Sequence, residues 1–167
     1  MVNWRNQQGT ASLAEHYGAL AELRDAGLIR HLGLSGVTAE QLAEAQAIAP
    51  VVCVQNRYSI GATPAEHRFV DACGERGVAF VPFFTIAGQG GGRGATGTER
   101  REVLAIAGAH GVTAAQVRLA WTLQRGTHVL AIPGTGDPAH LADNVAAGAL
   151  RLTGEELALL DSVTIPA

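Results

Sequence analysis

At five candidate helix starts along this chain a serine or threonine is followed three residues later by glutamate or glutamine. The pairs are Ser12 with Glu15, Thr38 with Gln41, Thr63 with Glu66, Thr113 with Gln116 and Thr153 with Glu156. At this spacing two side chains satisfy each other's free N–H groups at a helix start. Pro64 and Pro138 sit where a first helical position takes proline, the latter behind a candidate cap at Asp137. Gly27, Gly77 and Gly111 fall where a left-handed residue ends a helix. In the first helix Leu13, Tyr17, Leu20 and Leu23 recur at three and four, which predicts one buried face. Between the helices lie nearly continuous apolar runs, Ile29–Leu34, Val51–Gln55, Val78–Phe83 and Val129–Pro133, and Met1–Trp4 reads as the stub of another. Such runs suit strands covered on both faces of a parallel sheet.

The resulting order, β-α-β-α-β-α-β-α-α-β-α-α, places the chain in the α/β class, with about five parallel strands joined by right-handed crossovers. A doubly wound sheet and part of a (β/α)8 barrel both accommodate it. No Gly-x-Gly-x-x-Gly follows an early strand, which weighs against a dinucleotide-binding doubly wound fold. The 167 residues show no internal repeat or linker, so residues 1–167 read as a single domain. Ala87–Thr98, with its six glycines, reads as an internal loop.

Composition narrows the function. A net charge of −3 and a pI near 6.0 leave no basic footprint for nucleic acid. No apolar run has the length of a membrane span, and the N-terminus has no signal-peptide character. Cys53 and Cys73 lie in apolar surroundings and read as two reduced, buried thiols, which implies a cytoplasmic protein. His16, His31, His67, His110 and His128 show no metal-ligand spacing, so no metal is expected. Tyr17 and Trp121 read as core, and His67 as a solvated helix residue. All 12 basic residues are arginine. Any chemistry that needs a lysine amine is therefore excluded within these residues.

Several stretches, in order, resemble the aldo-keto reductase pattern. Leu20–Ser35 resembles that family's helix and fifth strand, Val54–Ser59 its sixth strand, and Val81–Phe84 its seventh. His110–Val117 with Ala120 and Trp121 resembles the next helix. Ile132–Thr135 and His140–Asn144 resemble the eighth strand and the phosphate-binding helix. Asn3-Trp4-Arg5 resembles the end of the fourth strand, so the counterparts of the first three strands are absent from these residues. The resemblance implies a partial (β/α)8 barrel. Five strands do not close an eight-stranded barrel, and open edges invite association, so a homodimer or remodelled sheet is expected.

The resemblance also implies a reaction, hydride transfer between NADPH and a carbonyl, with a tyrosine as acid tuned by a lysine and an aspartate. That set belongs to the absent strands. The position of the family's histidine holds Arg5, which reads either as a carbonyl-binding cation or as a solvated charge. By resemblance, Ser35 and Gln55 hold the nicotinamide carboxamide, Phe83 stacks on its ring, and Thr135, His140 and Asn144 face the adenosine end of NADP(H). Gly36 stands where the family carries an asparagine, and neither Gly134 nor His140 supplies the usual cation for the 2′-phosphate, so NADPH affinity is expected to be weakened. Phe83 also reads as a core residue, and the glycine-rich loop as a plain linker. Tyr58, following the sixth strand, is the best internal candidate for an acid or hydrogen-bond donor, and reads otherwise as a structural tyrosine.

Binding residues without a proton-delivery set lead to the expectation of a non-redox catalyst, such as a cyclase, isomerase or dehydratase acting on a small molecule. Arg5, Gln55, Arg57 and Tyr58 at the strand ends would supply its polarity. Two alternatives stand beside it. One is an NADPH-dependent carbonyl oxidoreductase that takes its first strands from another chain. The other is a non-catalytic nucleotide-binding or structural protein.

Overall fold

In a computed structural model the described residues are 2–3, 12–86 and 100–163. Four strands, β1 (Val2–Asn3), β2 (Leu32–Ser35), β3 (Val51–Gln55) and β4 (Ala79–Phe80), pair in parallel and in chain order. Helices α1 (Leu13–Asp25), α2 (Ala39–Ile48) and α3 (Pro64–Glu75) form the crossovers. After β4 come α4 (Arg101–His110), α5 (Ala114–Leu123), α6 (Pro138–Ala146), a 3-10 turn (Ala147–Ala149) and α7 (Gly154–Asp161). The α/β class, the parallel pairing and the flanking helices are those expected from the sequence.

The helix starts follow the capping residues closely. Thr38, Thr63, Thr113 and Thr153 each form a complete capping box with the glutamine or glutamate three residues on. Ser12 accepts the Glu15 N–H and Asp137 accepts the Ala139 N–H.

The strands are shorter than the apolar runs. Val78–Phe83 contributes only Ala79–Phe80 to the regular ladder, and Pro82, which by alternation with Phe80 faces the Val129 side, has no N–H to donate there. Pairing nevertheless continues past the break: the Val81 N–H donates to the Val54 carbonyl, the Phe83 N–H to the Asn56 carbonyl, and Arg57 bridges Phe83. Val129–Pro133 is reduced to one parallel bridge between Val129 and Phe80, made by the Phe80 N–H to the His128 carbonyl and the Leu130 N–H to the Phe80 carbonyl. Leu130 and Ile132 remain about half exposed, so little burial holds the rest of that run in strand geometry.

Register puts Leu34, Val54 and Phe80 in one row, and all three are buried under the helices. Trp121 of α5 and Tyr58 complete the centre of the core, their rings stacked at 5.2 Å with an interplanar angle of 21°. Phe80 meets Tyr58 edge-on at 5.7 Å. Aromatic pairs of these geometries contribute about 0.5–1.5 kcal/mol beyond the area they bury. The Trp121 indole N–H donates to Asp161 Oδ1 at 2.7 Å, while Arg125 pairs with the other carboxylate oxygen and lies over the Trp121 ring. On α1 the buried residues are Leu13, Tyr17 and Ala21, in steps of four, while Leu23 turns outward and is 41% exposed. The Tyr17 hydroxyl donates to the Pro50 carbonyl, and burial pushes its pKa up to about 12.

The one bridge at Val129 is backed by His128, whose Nε2 lies 3.0 Å from the Val70 carbonyl of α3. Glycine at 74 makes this approach feasible, since a Cβ there would sit 2.7 Å from the His128 ring.

At the opposite end of the molecule's hydrogen-bond network, Asn56 acts on its neighbouring loop. Its Oδ1 accepts the N–H groups of Gly36 (2.9 Å) and Val37 (3.1 Å), and its Nδ2 donates to the Val37 carbonyl (2.7 Å). The carboxamide thus extends strand pairing beyond the last residue of β2 and fixes the turn into α2. Near the C-terminus, Glu156 links two helices: one oxygen accepts the Thr153 N–H and the other lies 2.7 Å from His110 Nε2 on α4. The Thr153 N–H, with His110 assisting, holds the Glu156 carboxyl below its ordinary 4.5.

Two outcomes follow from these contacts. Asn56→Ala strands backbone groups of the β2–α2 turn and is expected to destabilise the fold by about 2 kcal/mol, seen as a lower urea midpoint at unchanged slope. A depressed carboxylate pKa contributes stability that is present above the unfolded value and lost as pH falls through the folded one. Glu156→Gln keeps the cap and removes the titration, so its stability should fall less than the wild type's as the pH is lowered from about 6 to about 3.

Candidate functional site

Because all strands run the same way, their C-terminal ends lie on one rim, the edge where open and closed α/β sheets carry their sites. Ser35 ends β2 and Gln55 ends β3, and they are register partners; Asn3 of β1 is in turn the partner of Ser35. Ser35 is 5% exposed and Gln55 is half-buried. Phe83 lies beyond β4 on the same rim, half-buried, its ring edge-on to Phe84 at 5.1 Å. Phe84 is held at a φ of 63°, the one positive value at a non-glycine among the described residues, and its side chain is 46% exposed. The sheet therefore brings Ser35, Gln55 and Phe83 to neighbouring strand ends.

The turn that carries Ser35 into α2 depends on Gly36, whose φ of 69° is left-handed. Its N–H points to both the Gln55 carbonyl and Asn56 Oδ1. Asn56 was not singled out from the sequence. A polar, turn-favouring residue directly after an apolar strand is the signal that would have marked it.

Thr135, His140 and Asn144 gather on a separate stretch. Thr135 is exposed and its hydroxyl accepts the Asp137 N–H at 3.1 Å. His140 is exposed in the first turn of α6, with Nδ1 3.9 Å from Asp137 Oδ2, and Asn144 is half-buried farther along the helix. Asp137 caps α6, so a carboxylate already occupies this helix start. Arg5 and the glycine-rich segment 87–98 lie outside the described residues.

Of the two readings of Tyr58, the geometry matches the structural one. Its ring is 1% exposed and its hydroxyl lies 2.8 Å from His67 Nδ1, while burial drives its pKa far above the ordinary range. A hydroxyl so enclosed, and so reluctant to ionise, is a core anchor and not a proton donor presented at the rim. His67, expected to be solvated, is its partner. Cys73 is buried and its thiol is pushed up to about 11, but Cys53 is only partly covered. No group of three or more His, Cys, Asp or Glu side chains capable of holding a metal occurs among the described residues. No single helix among them is long and apolar enough to cross a membrane.

Comparison with known proteins places these features in a family. The model of the Aldo/keto reductase family matches residues 4–165. Pyridoxine 4-dehydrogenase of Escherichia coli is 44% identical over 145 residues, which is 87% of this chain and 48% of that protein. A thermostable aldo-keto reductase crystallised with the inhibitor epalrestat superposes with a TM-score of 0.80 at 34% identity, covering 96% of this chain and 57% of the other. An aldo/keto reductase from Klebsiella pneumoniae, crystallised with NADP and acetate, gives a TM-score of 0.77 at 29% identity over 92% of this chain and 54% of that one. The chain spans about half the length of the curated relatives it matches. These relatives are dehydrogenases and reductases by name, which overturns the expectation of a non-redox cyclase, isomerase or dehydratase. That expectation argued from side chains absent from these residues. The chain, a partial (β/α)8 barrel by its strands and its neighbours, belongs to the aldo/keto reductase family.

Proposed function

We propose that these residues form the cofactor-binding half of an NADP-dependent carbonyl oxidoreductase. The observation that carries this reading is the register pairing of Ser35 with Gln55 on the rim, with Phe83 beyond the adjoining strand. A hydroxyl and a primary carboxamide each donate and accept. They complement a nicotinamide carboxamide, which offers one oxygen and one NH2. A half-buried phenylalanine is suited to lie against a planar ring. The donor set thus fits the nicotinamide end of the cofactor. When bound, NADP(H) supplies or takes up the hydride. The work of Ser35, Gln55 and Phe83 is to fix the orientation of the ring.

Proton delivery is assigned to polypeptide outside these 167 residues. The chain holds no lysine, and the Tyr58 hydroxyl is committed to His67. Such polypeptide would add strands beyond β1 and beyond the Val129 bridge and so close the barrel. A second copy of this chain brings the same side chains; a homodimer would cover the edges without restoring the acid. The substrate class is a small alcohol or carbonyl compound, and pyridoxal is the first to try, given the relative named above. A cytoplasmic setting is consistent with two unpaired cysteines.

The adenosine end is weaker. No lysine or arginine lies between residues 134 and 144, and Asp137 places a negative charge at the α6 start. A carboxylate there opposes a phosphate at the same helix end.

The chain is expected to bind NADPH at micromolar concentration, read by quenching of protein fluorescence and by calorimetry, with the mass in solution taken from the same sample. Ser35→Ala with Gln55→Ala should weaken binding about tenfold or more. A folded chain that shows no quenching and no heat would retire the reading. Asp137→Asn should tighten NADPH by about two- to fivefold while changing NADH less; equal changes for both would remove Asp137 from the 2′-phosphate.

A further inference from the structure

A cavity of about 460 Å³ opens between α3, the loop leading from β2 into α2, and the ends of β3 and β4. Four aromatic residues border it: Phe69 and Phe83 are part-exposed, while Tyr58 and Phe80 are 1% exposed. Neither Ser35 nor Gln55 lines it, so it is separate from the nicotinamide row and shares only Phe83 with it. Its size falls within the range of small-molecule sites, about 300–1,000 Å³.

The polar atoms around it are nearly all spent. The Asn56 carboxamide holds the β2–α2 turn, and the Tyr58 hydroxyl is bonded to His67. The Thr38 hydroxyl caps α2. Glu66 also lines the cavity and brings a negative charge, with its Oε2 turned to the N–H and the hydroxyl of Thr63 at the start of α3. Arg57 differs. It lines the cavity, its side chain is exposed, and no ion pair engages it among the described residues. An apolar, aromatic-bordered space with a single uncommitted guanidinium selects a planar apolar body carrying one carboxylate, since guanidinium meets carboxylate through paired hydrogen bonds. We infer that this cavity is a second small-molecule site, one that takes an aromatic carboxylate with its ring against Phe69 and its charge on Arg57.

The test uses 2-naphthoate, with 2-naphthylmethanol as its uncharged counterpart, titrated calorimetrically into the intact chain in the absence of nicotinamide cofactor. The wild type should bind the acid saturably and about tenfold more tightly than the alcohol. Arg57→Gln, a surface change, should erase that preference while leaving the alcohol's affinity intact. Ala65→Trp, which places a large ring on the α3 wall, should abolish binding of both compounds; its thermal midpoint is checked in parallel, and Ala39→Trp serves if Ala65→Trp does not fold. Absence of saturable binding to the wild type, an acid preference that survives Arg57→Gln, or binding undiminished in the folded cavity-filling variant would each overturn the inference. Since no step involves NADPH, failure here is distinct from failure of the oxidoreductase reading.

Discussion

The carboxamide of Asn56 is the contact on which the arrangement of the rim depends. It stands one residue past Gln55 and one before Arg57, and it reaches across to the backbone of Gly36 and Val37. In doing so it replaces a strand pairing that the left-handed Gly36 has ended. Three things are set by that substitution: the position of Ser35 against Gln55, the direction in which α2 departs, and the width of the space between the β2–α2 turn and α3. Each buried backbone group it satisfies would otherwise carry a desolvation penalty of about 1–3 kcal/mol. The rim is therefore held by hydrogen bonding at the point where apolar packing thins out.

Below the rim the fold is anchored differently. Tyr58 belongs to the β3–α3 connection and Trp121 to α5, and their stacking ties the early part of the chain to the late part. Asp161 then secures α7 to the back of Trp121 and to Arg125. The C-terminal helix is short and buries only Leu160 among its residues, so these polar ties, with the Glu156–His110 link to α4, matter to its placement. By contrast α6 buries no residue at all and leaves Leu141 and Val145 facing outward.

Much of this was readable from the chain alone, for a physical reason. Capping boxes are local: Thr38, Thr63, Thr113 and Thr153 start helices through atoms within three residues, so tertiary context has little to override. The βα alternation and the family likeness followed from the same short-range order. Strand lengths were less legible, because pairing needs a neighbour. Val129–Pro133 has the residues of a strand but pairs at one position, and Pro82 interrupts a run that is apolar throughout. Leu23 matched the spacing of a buried face, yet the α1 stripe passes through Ala21. At the site, Ser35 and Gln55 came from the family pattern and the register pairs them. The fate of the Tyr58 hydroxyl was hidden, since His67 lies a helix turn into the next element and only the folded geometry brings the two rings together. The non-redox expectation failed on a different ground: the relatives are dehydrogenases and reductases by name.

The strand order carries a consequence for how such a chain is made. Each strand lies beside the one that precedes it in sequence, and each crossover is a single helix. A polypeptide emerging from the ribosome can therefore dock every new βα unit onto the unit already finished, without waiting for a distant segment. Closing short connections in succession demands little chain entropy at any one step, and sequential pairing keeps only one raw edge exposed at the growing side. One exception is the Tyr58–Trp121 stack, which, like the His128 contact with Val70, joins segments far apart in the chain. It can form only after α5 has been synthesised, and it makes late translation the moment at which the early sheet becomes locked.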